Sequence, residues 1–165
     1  MPKRKIIRGQ DVIDDTWVYL SDEGAAPVDA SELLVSVERF LEQGEALQRA
    51  GHTLGVRFSP EHTGRELGEA LSSVALVAID FPKFTDGRGY TVAHRLRTQL
   101  GWTGSLRATG DVLPDQVFYL RRCGFDELDV RADKSIEDAH AALGTFSVVY
   151  QGDAADPRPL YRRRA

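Results

Sequence analysis

Apolar residues return along this chain in two alternating rhythms. Short runs such as Leu54-Gly55-Val56-Arg57-Phe58, the unbroken Val74-Ala75-Leu76-Val77-Ala78-Ile79, Leu106-Arg107-Ala108-Thr109 and Phe125 to Val130 have strand length. A fully apolar strand such as 74–79 implies a sheet covered on both faces. Between the runs, apolar positions recur at helical spacing. Leu33, Val37, Phe40, Leu41 and Leu47 lead to Gly51; Ala93, Leu96 and Leu100 fall in 88–100 and stop at Gly101; Leu113, Val117 and Leu120 end at Gly124. We read a strand at 32–36 followed by a helix at 37–50, a helix at 64–72 after Ser59-Pro60, and a Ser135-capped helix to Leu143. Thr16-Trp17-Val18-Tyr19-Leu20 reads as a short added strand, with a loop at 21–31 broken by Gly24 and Pro27.

Strands alternating with helices of this length predict an α/β fold. Its expected form is a mostly parallel sheet of about five strands from repeated βα units, with right-handed crossovers and an added N-terminal strand. An open three-layer sheet and a partial barrel both suit this spacing. Residues 1–150 form the expected single domain, with a strand or hairpin region at 1–31. Residues 151–165, with Pro157 and Pro159, read as a basic C-terminal tail.

Composition narrows the class. The 165 residues are 42% hydrophobic and 28% charged, which suits a globular domain. No apolar run approaches the ~20 residues of a membrane span, and the basic start lacks the apolar core of a secretory signal. The single cysteine, Cys123, excludes an internal disulfide, a CxxC pair and a thiolate-held cluster within one chain. A soluble cytoplasmic protein is expected.

The net charge of −4 is unevenly laid out. Lys3, Arg4, Lys5 and Arg8 open the chain and Arg158, Arg162, Arg163 and Arg164 close it. Setting those eight aside leaves 13 basic residues against 25 acidic ones, a body of −12. Such a body opposes nucleic-acid binding, which needs a basic face. The basic ends could bind RNA or an acidic partner, but read more simply as frayed termini that tolerate any charge.

In parallel α/β folds, ligands sit where strand ends meet helix starts. Two junctions carry most of the chemistry. The first is 80–90, with Asp80, Lys83, Asp86, Arg88 and Tyr90 around Gly87 and Gly89. The second is 107–116, with Arg107, Asp111, Asp115 and Gln116. These nine residues are the ligand-binding candidates. The two glycines could shape an anion nest to which Lys83 and Arg88 add charge and Tyr90 a hydroxyl or a stacking face. Equally, Asp86 could cap the helix while Arg88 pairs with Asp80 or Asp111. An arginine inside a short strand must be paired or reach the sheet edge, and Asp80 and Asp111 are the expected partners of Arg107.

Other chemistries find little support. The G-x-G at 87–89 lacks the third glycine of a dinucleotide fingerprint, and no Walker A pattern is present. His52, His62, His94 and His140 have no ligand spacing, and Asp80, Asp86 and Asp111 favour ion pairs over a metal. No metal or cofactor is expected. Cys123 reads as a packing thiol, and no hydrolase motif accompanies the hydroxyls.

The words Phe81 to Tyr90 (FPKFTDGRGY), Leu96-Arg97, Gly104 to Asp111 (GSLRATGD), Asp115-Gln116 and Arg122 to Asp126 (RCGFD) resemble a bacterial family of unknown function whose members are commonly labelled as oxidoreductases of sulfite reduction. The likeness extends more loosely over 33–150, and Thr91 stands where serine is common. It implies an accessory protein of assimilatory sulfite reduction, acting with a haemoprotein sulfite or nitrite reductase in electron delivery or cofactor loading. Against the oxidoreductase label, the chain shows no redox-cofactor motif. The alternative is a small enzyme or sensor that binds a sulfur oxyanion or a phosphorylated metabolite at the strand C-terminal ends.

Overall fold

The computed structural model describes residues 4–163. Eight strands form one sheet: β1 (Lys5–Arg8), β2 (Asp11–Asp14), β3 (Val18–Tyr19), β4 (Glu32–Ser36), β5 (Thr53–Phe58), β6 (Leu76–Phe81), β7 (Ser105–Gly110) and β8 (Glu127–Leu128). Their spatial order is β2-β1-β8-β7-β6-β5-β4-β3. From β3 to β8 each strand lies parallel to the next, while β1 pairs antiparallel with both β8 and β2. The sheet is therefore mixed and eight-stranded, larger than the five mostly parallel strands expected.

Helices α1 (Val37–Arg49), α2 (Arg88–Thr98), α3 (Val117–Arg122) and α4 (Ile136–Ala142) pack on one face only. Successive crossovers always step the same way across the sheet, so same-handed connections return to the same side. The result is a curled, partly barrel-like sheet with helices outside, not three layers. A single core joins Val35, Val56, Val77, Ile79, Leu106 and Leu128 to Phe40, Val92, Leu96, Val117 and Ala139 of the helices. On the other, concave face only Leu34, Leu76 and Ala78 cluster, under Trp17.

Ser36 ends β4 and caps α1 by accepting the Arg39 N–H at 3.1 Å, so strand and helix abut as expected. The helix expected at 64–72 is instead a 3₁₀ turn at Gly68–Ser73. Gly64 and Gly68 sit at φ +88° and +51°, left-handed conformations that an α-helix cannot contain. The added strand at 16–20 shortens to Val18–Tyr19.

The N-terminal segment is a hairpin, β1–β2, and not a frayed end. Ile6 and Ile7 are fully buried, and Arg4 and Arg8 pair with Asp129 at 2.6 Å and Glu127 at 2.8 Å. Near the other end, Asp153 pairs with Arg122, and the Ala154 N–H bonds the Arg122 carbonyl. A last helical turn, α5, covers Leu160–Arg163. Lys3 and Arg164, also counted in the basic ends, lie outside the described residues.

Candidate functional site

The two motif-bearing turns lie side by side because β6 and β7 are neighbours. Gly110 holds φ +94°, and a Cβ there would stand 2.5 Å from the Phe81 carbonyl oxygen. Glycine is thus required for the turns to meet. The Asp111 N–H donates to that same carbonyl at 2.7 Å, and the Asp111 carboxylate accepts the Phe84 N–H at 2.8 Å. Gln116 donates to the Phe84 carbonyl at 2.9 Å and accepts the Leu113 N–H at 3.1 Å. Arg131 closes the arrangement on Asp111 at 2.5 Å. The Phe84 N–H holds the Asp111 carboxyl below its usual range; the loss of hydration works against this and Arg131 reinforces it.

Around that stitched base the remaining candidates separate. Asp86 accepts both the N–H and the guanidinium of Arg88, an exposed pair closed on itself, and the Arg88 side chain pulls the Asp86 carboxyl down. Lys83 and Asp115 are exposed. Tyr90 packs between Phe81 and Tyr119, with centroids 5.2 and 5.1 Å away, and burial raises its hydroxyl. Gly89 serves packing: a Cβ there would lie 2.6 Å from the Phe81 ring. Phe84, half exposed, is the large apolar side chain that this edge presents outward.

Arg107 departs from expectation. It pairs with neither Asp80 nor Asp111. Its side chain, 3% exposed, lies on the concave face, held bidentately by Asp15 at 2.9 and 3.0 Å and by Glu127 at 2.8 Å. Burial alone would lower its pKa, but these carboxylates more than offset that and hold it above the usual value. Asp80 pairs with Arg57 at 2.9 Å, and Arg88 with Asp86 instead of Asp80 or Asp111. Asp80, Asp86 and Asp111 therefore each face a different arginine. Among the described residues no group of three or more His, Cys, Asp or Glu side chains is placed to hold a metal. Arg88 and Arg107 share no pocket, because one stays on the outer loop and the other lines the concave face.

That concave face holds a cleft of about 470 Å³ at the C-terminal half of the parallel strands. Trp17, Tyr19 and Leu34 form one wall, Arg107, Asp129 and Arg4 the other, with Arg57 between. Arg57 is about one-third exposed and lies over the Tyr19 ring, 5.4 Å from its centroid. Asp129 accepts from Arg4 and, at 3.0 Å, from the Thr109 hydroxyl. Burial nevertheless pushes its carboxyl up, and those two partners offset only part of that. Gly55 makes room on the floor: a Cβ there would come within 2.9 Å of the Trp17 ring.

Of the nine candidates only Arg107 lines this cleft. Arg4, Asp15, Trp17, Arg57 and Asp129 were not among them. A signal for some was present, since polar residues alternate with apolar ones in Val56-Arg57-Phe58 and Leu128-Asp129-Val130.

Residues 55–161 match the model of the bacterial protein family of unknown function DUF934, and the chain belongs to that family. This corrects the expected membership of a sulfite-reduction oxidoreductase family, because the family that the match identifies carries no assigned function. None of the curated proteins compared with the chain matches it.

Proposed function

We propose that this DUF934 protein is an accessory protein of assimilatory sulfite reduction. It docks on a haemoprotein sulfite or nitrite reductase through the edge carrying 81–90 and 111–116, and assists electron delivery or cofactor loading. The observation that carries the docking is Phe84. Its backbone is tied on both sides to the neighbouring turn, while its ring stays half exposed between exposed Lys83 and Arg88. An anchored aromatic beside Lys83 and the Asp86-paired Arg88 suits a protein interface, since aromatic and arginine side chains dominate interface energetics. The pathway part of the reading rests on the wording of residues 80–126 alone. Cytoplasm is the proposed compartment; no helix of the described residues is long and apolar enough to cross a membrane.

The test is a pull-down of tagged protein from cells grown on sulfate, read by mass spectrometry and visible absorbance. Capture of the reductase, lost in Phe84→Ala/Arg88→Ala with unchanged melting temperature, supports the proposal. A deletion strain that grows normally on sulfate with fully active sulfite reductase overturns it.

A second reading is favoured by the partly exposed cations Arg4 and Arg57 facing the cleft. In it the protein is a small enzyme or sensor for a sulfur oxyanion or phosphorylated metabolite at the strand C-terminal ends. Calorimetric titration with sulfite, sulfate and phosphate tests it, with binding lost in Arg57→Ala.

A further inference from the structure

We infer that the helix-free concave face binds a small organic anion with a flat apolar body, Arg57 holding the anionic group and Trp17 with Leu34 holding the body. This rests on and deepens the oxyanion reading, which uses the same cleft, by giving its ligand a flat carbon frame. It is independent of any docking at Phe84.

Size and place come first. About 470 Å³ lies within the range of small-molecule sites, and the cleft opens at the strand C-terminal half, where parallel sheets place their ligands. The lining is divided. Trp17, Tyr19 and Leu34 make its apolar end and charged groups the other, so an inorganic ion alone would leave the apolar end wet. Gly55 is the device that lets the indole lie against the sheet, where it offers a flat contact area.

The sign of the ligand follows from which charges are already engaged. Three arginines and two aspartates line the cleft. Arg107 is consumed by Asp15 and Glu127, and Asp129 is covered by Arg4 and Thr109. Arg57 has a single carboxylate partner, Asp80, which lies outside the lining, and it keeps about a third of its surface open. A planar guanidinium over an aromatic ring is suited to a carboxylate, sulfonate or phosphate monoester attached to a flat body.

The chain has two tryptophans, so a ¹⁵N-labelled sample gives two indole N–H resonances, and Trp17→Phe assigns them. Trp102 is buried in the helix-side core and serves as the internal control. The probes are phenyl phosphate, benzenesulfonate and benzoate, with benzylammonium and inorganic sulfate beside them. We expect at least one aryl anion to shift the Trp17 resonance saturably at submillimolar concentration without moving Trp102. Arg57→Ala should weaken that binding at least tenfold, and Tyr19→Ala, an edge-strand change, should weaken it without unfolding the protein. Equal binding of benzylammonium, Arg57-independent binding, or no Trp17 shift with any aryl anion up to 5 mM, on the order of ten times the expected constant, overturns the inference. If inorganic sulfate alone binds through Arg57, the inference fails and the oxyanion reading stands. If nothing binds, both fail.

Discussion

Truncating Arg107 is the sharpest test of how the concave face is held together. Arg107→Ala strips the cation from between Asp15, 12% exposed, and Glu127, 1% exposed. Removing one partner of a buried pair costs about 3–5 kcal/mol, because the remaining charge is left in a poorly solvated place. Two features pull the figure to the lower end. Arg8 still meets Glu127 at 2.8 Å, and Asp15 can recover some water. We therefore expect about 3 kcal/mol, which for a domain of this size lowers the melting temperature by roughly 6–12 °C. Urea unfolding should show a lower midpoint at unchanged slope. A double-mutant cycle with Asp15→Ala should return a coupling above about 0.5 kcal/mol. A loss below about 1 kcal/mol, the usual ceiling for exposed pairs, would show that the network does not hold the face and that Arg107 is free to serve a ligand.

Four further outcomes follow from the same geometry. Arg88→Ala breaks only an exposed pair and should leave the melting temperature unchanged, while reductase capture falls. Gly110→Ala forces a Cβ against the Phe81 carbonyl at a left-handed φ and should destabilise by more than about 1 kcal/mol in urea. Asp111 and Asp129 should bend the stability–pH curve in opposite senses. Asp111 is depressed in the folded state, so its contribution is present above the ordinary value of 3.8 and lost as pH falls; Asp111→Asn should flatten the limb below about pH 4. Asp129 is raised, so its contribution declines as pH climbs from 3.8 through the folded value, and Asp129→Asn should make stability rise more steeply there in thermal melts. Burial holds the Cys123 thiol protonated, so a thiol reagent at neutral pH should label native protein far more slowly than urea-unfolded protein, and rapid native labelling would contradict a packing role.

The elements that were legible are those whose local chemistry and tertiary role agree. Ser36 is both the end of a strand and a cap, so β4 and α1 divide where the side chain dictates. Residues 76–79 of the run 74–79 are buried because β6 lies mid-sheet, although the strand is shifted two residues onward to Phe81 and leaves Ala75 exposed. A strand or hairpin was expected somewhere within 1–31, but the position of β1 and β2 was obscured by their charges. Lys5-Ile6-Ile7-Arg8 has no strand-like alternation, and its place is set by pairing with β8, more than a hundred residues away. Long-range pairing of this kind leaves no local trace. The 3₁₀ turn was misread for a different reason: spacing pointed to a helix, while Gly64 and Gly68 took conformations that only their lack of a Cβ makes cheap.

For the site, the difficulty was one of faces. A parallel strand with apolar residues throughout implies cover on both sides, and β6 alone nearly satisfies that rule. Its neighbours do not: β5 turns Gly55 and Arg57 to the concave side, β7 turns Ser105, Arg107 and Thr109, and β8 adds Glu127 and Asp129. Taken strand by strand, each polar residue looked like an isolated exception needing its own partner, which is why Arg107 was matched with Asp80 and Asp111 along the chain. Taken across the register they form one surface. Ser36, Arg57, Ala78, Arg107, Glu127 and Arg8 stand in a single row over five adjacent parallel strands and the antiparallel β1. Two of its charges, Arg107 and Glu127, are already buried against Asp15 and Arg8, and a helix layer would have to desolvate the partly exposed Arg57 and Arg8 as well. The same residues that keep helices off this face of the sheet therefore also line its cleft, and cleft and half-barrel have a common cause in the alternation of three strands.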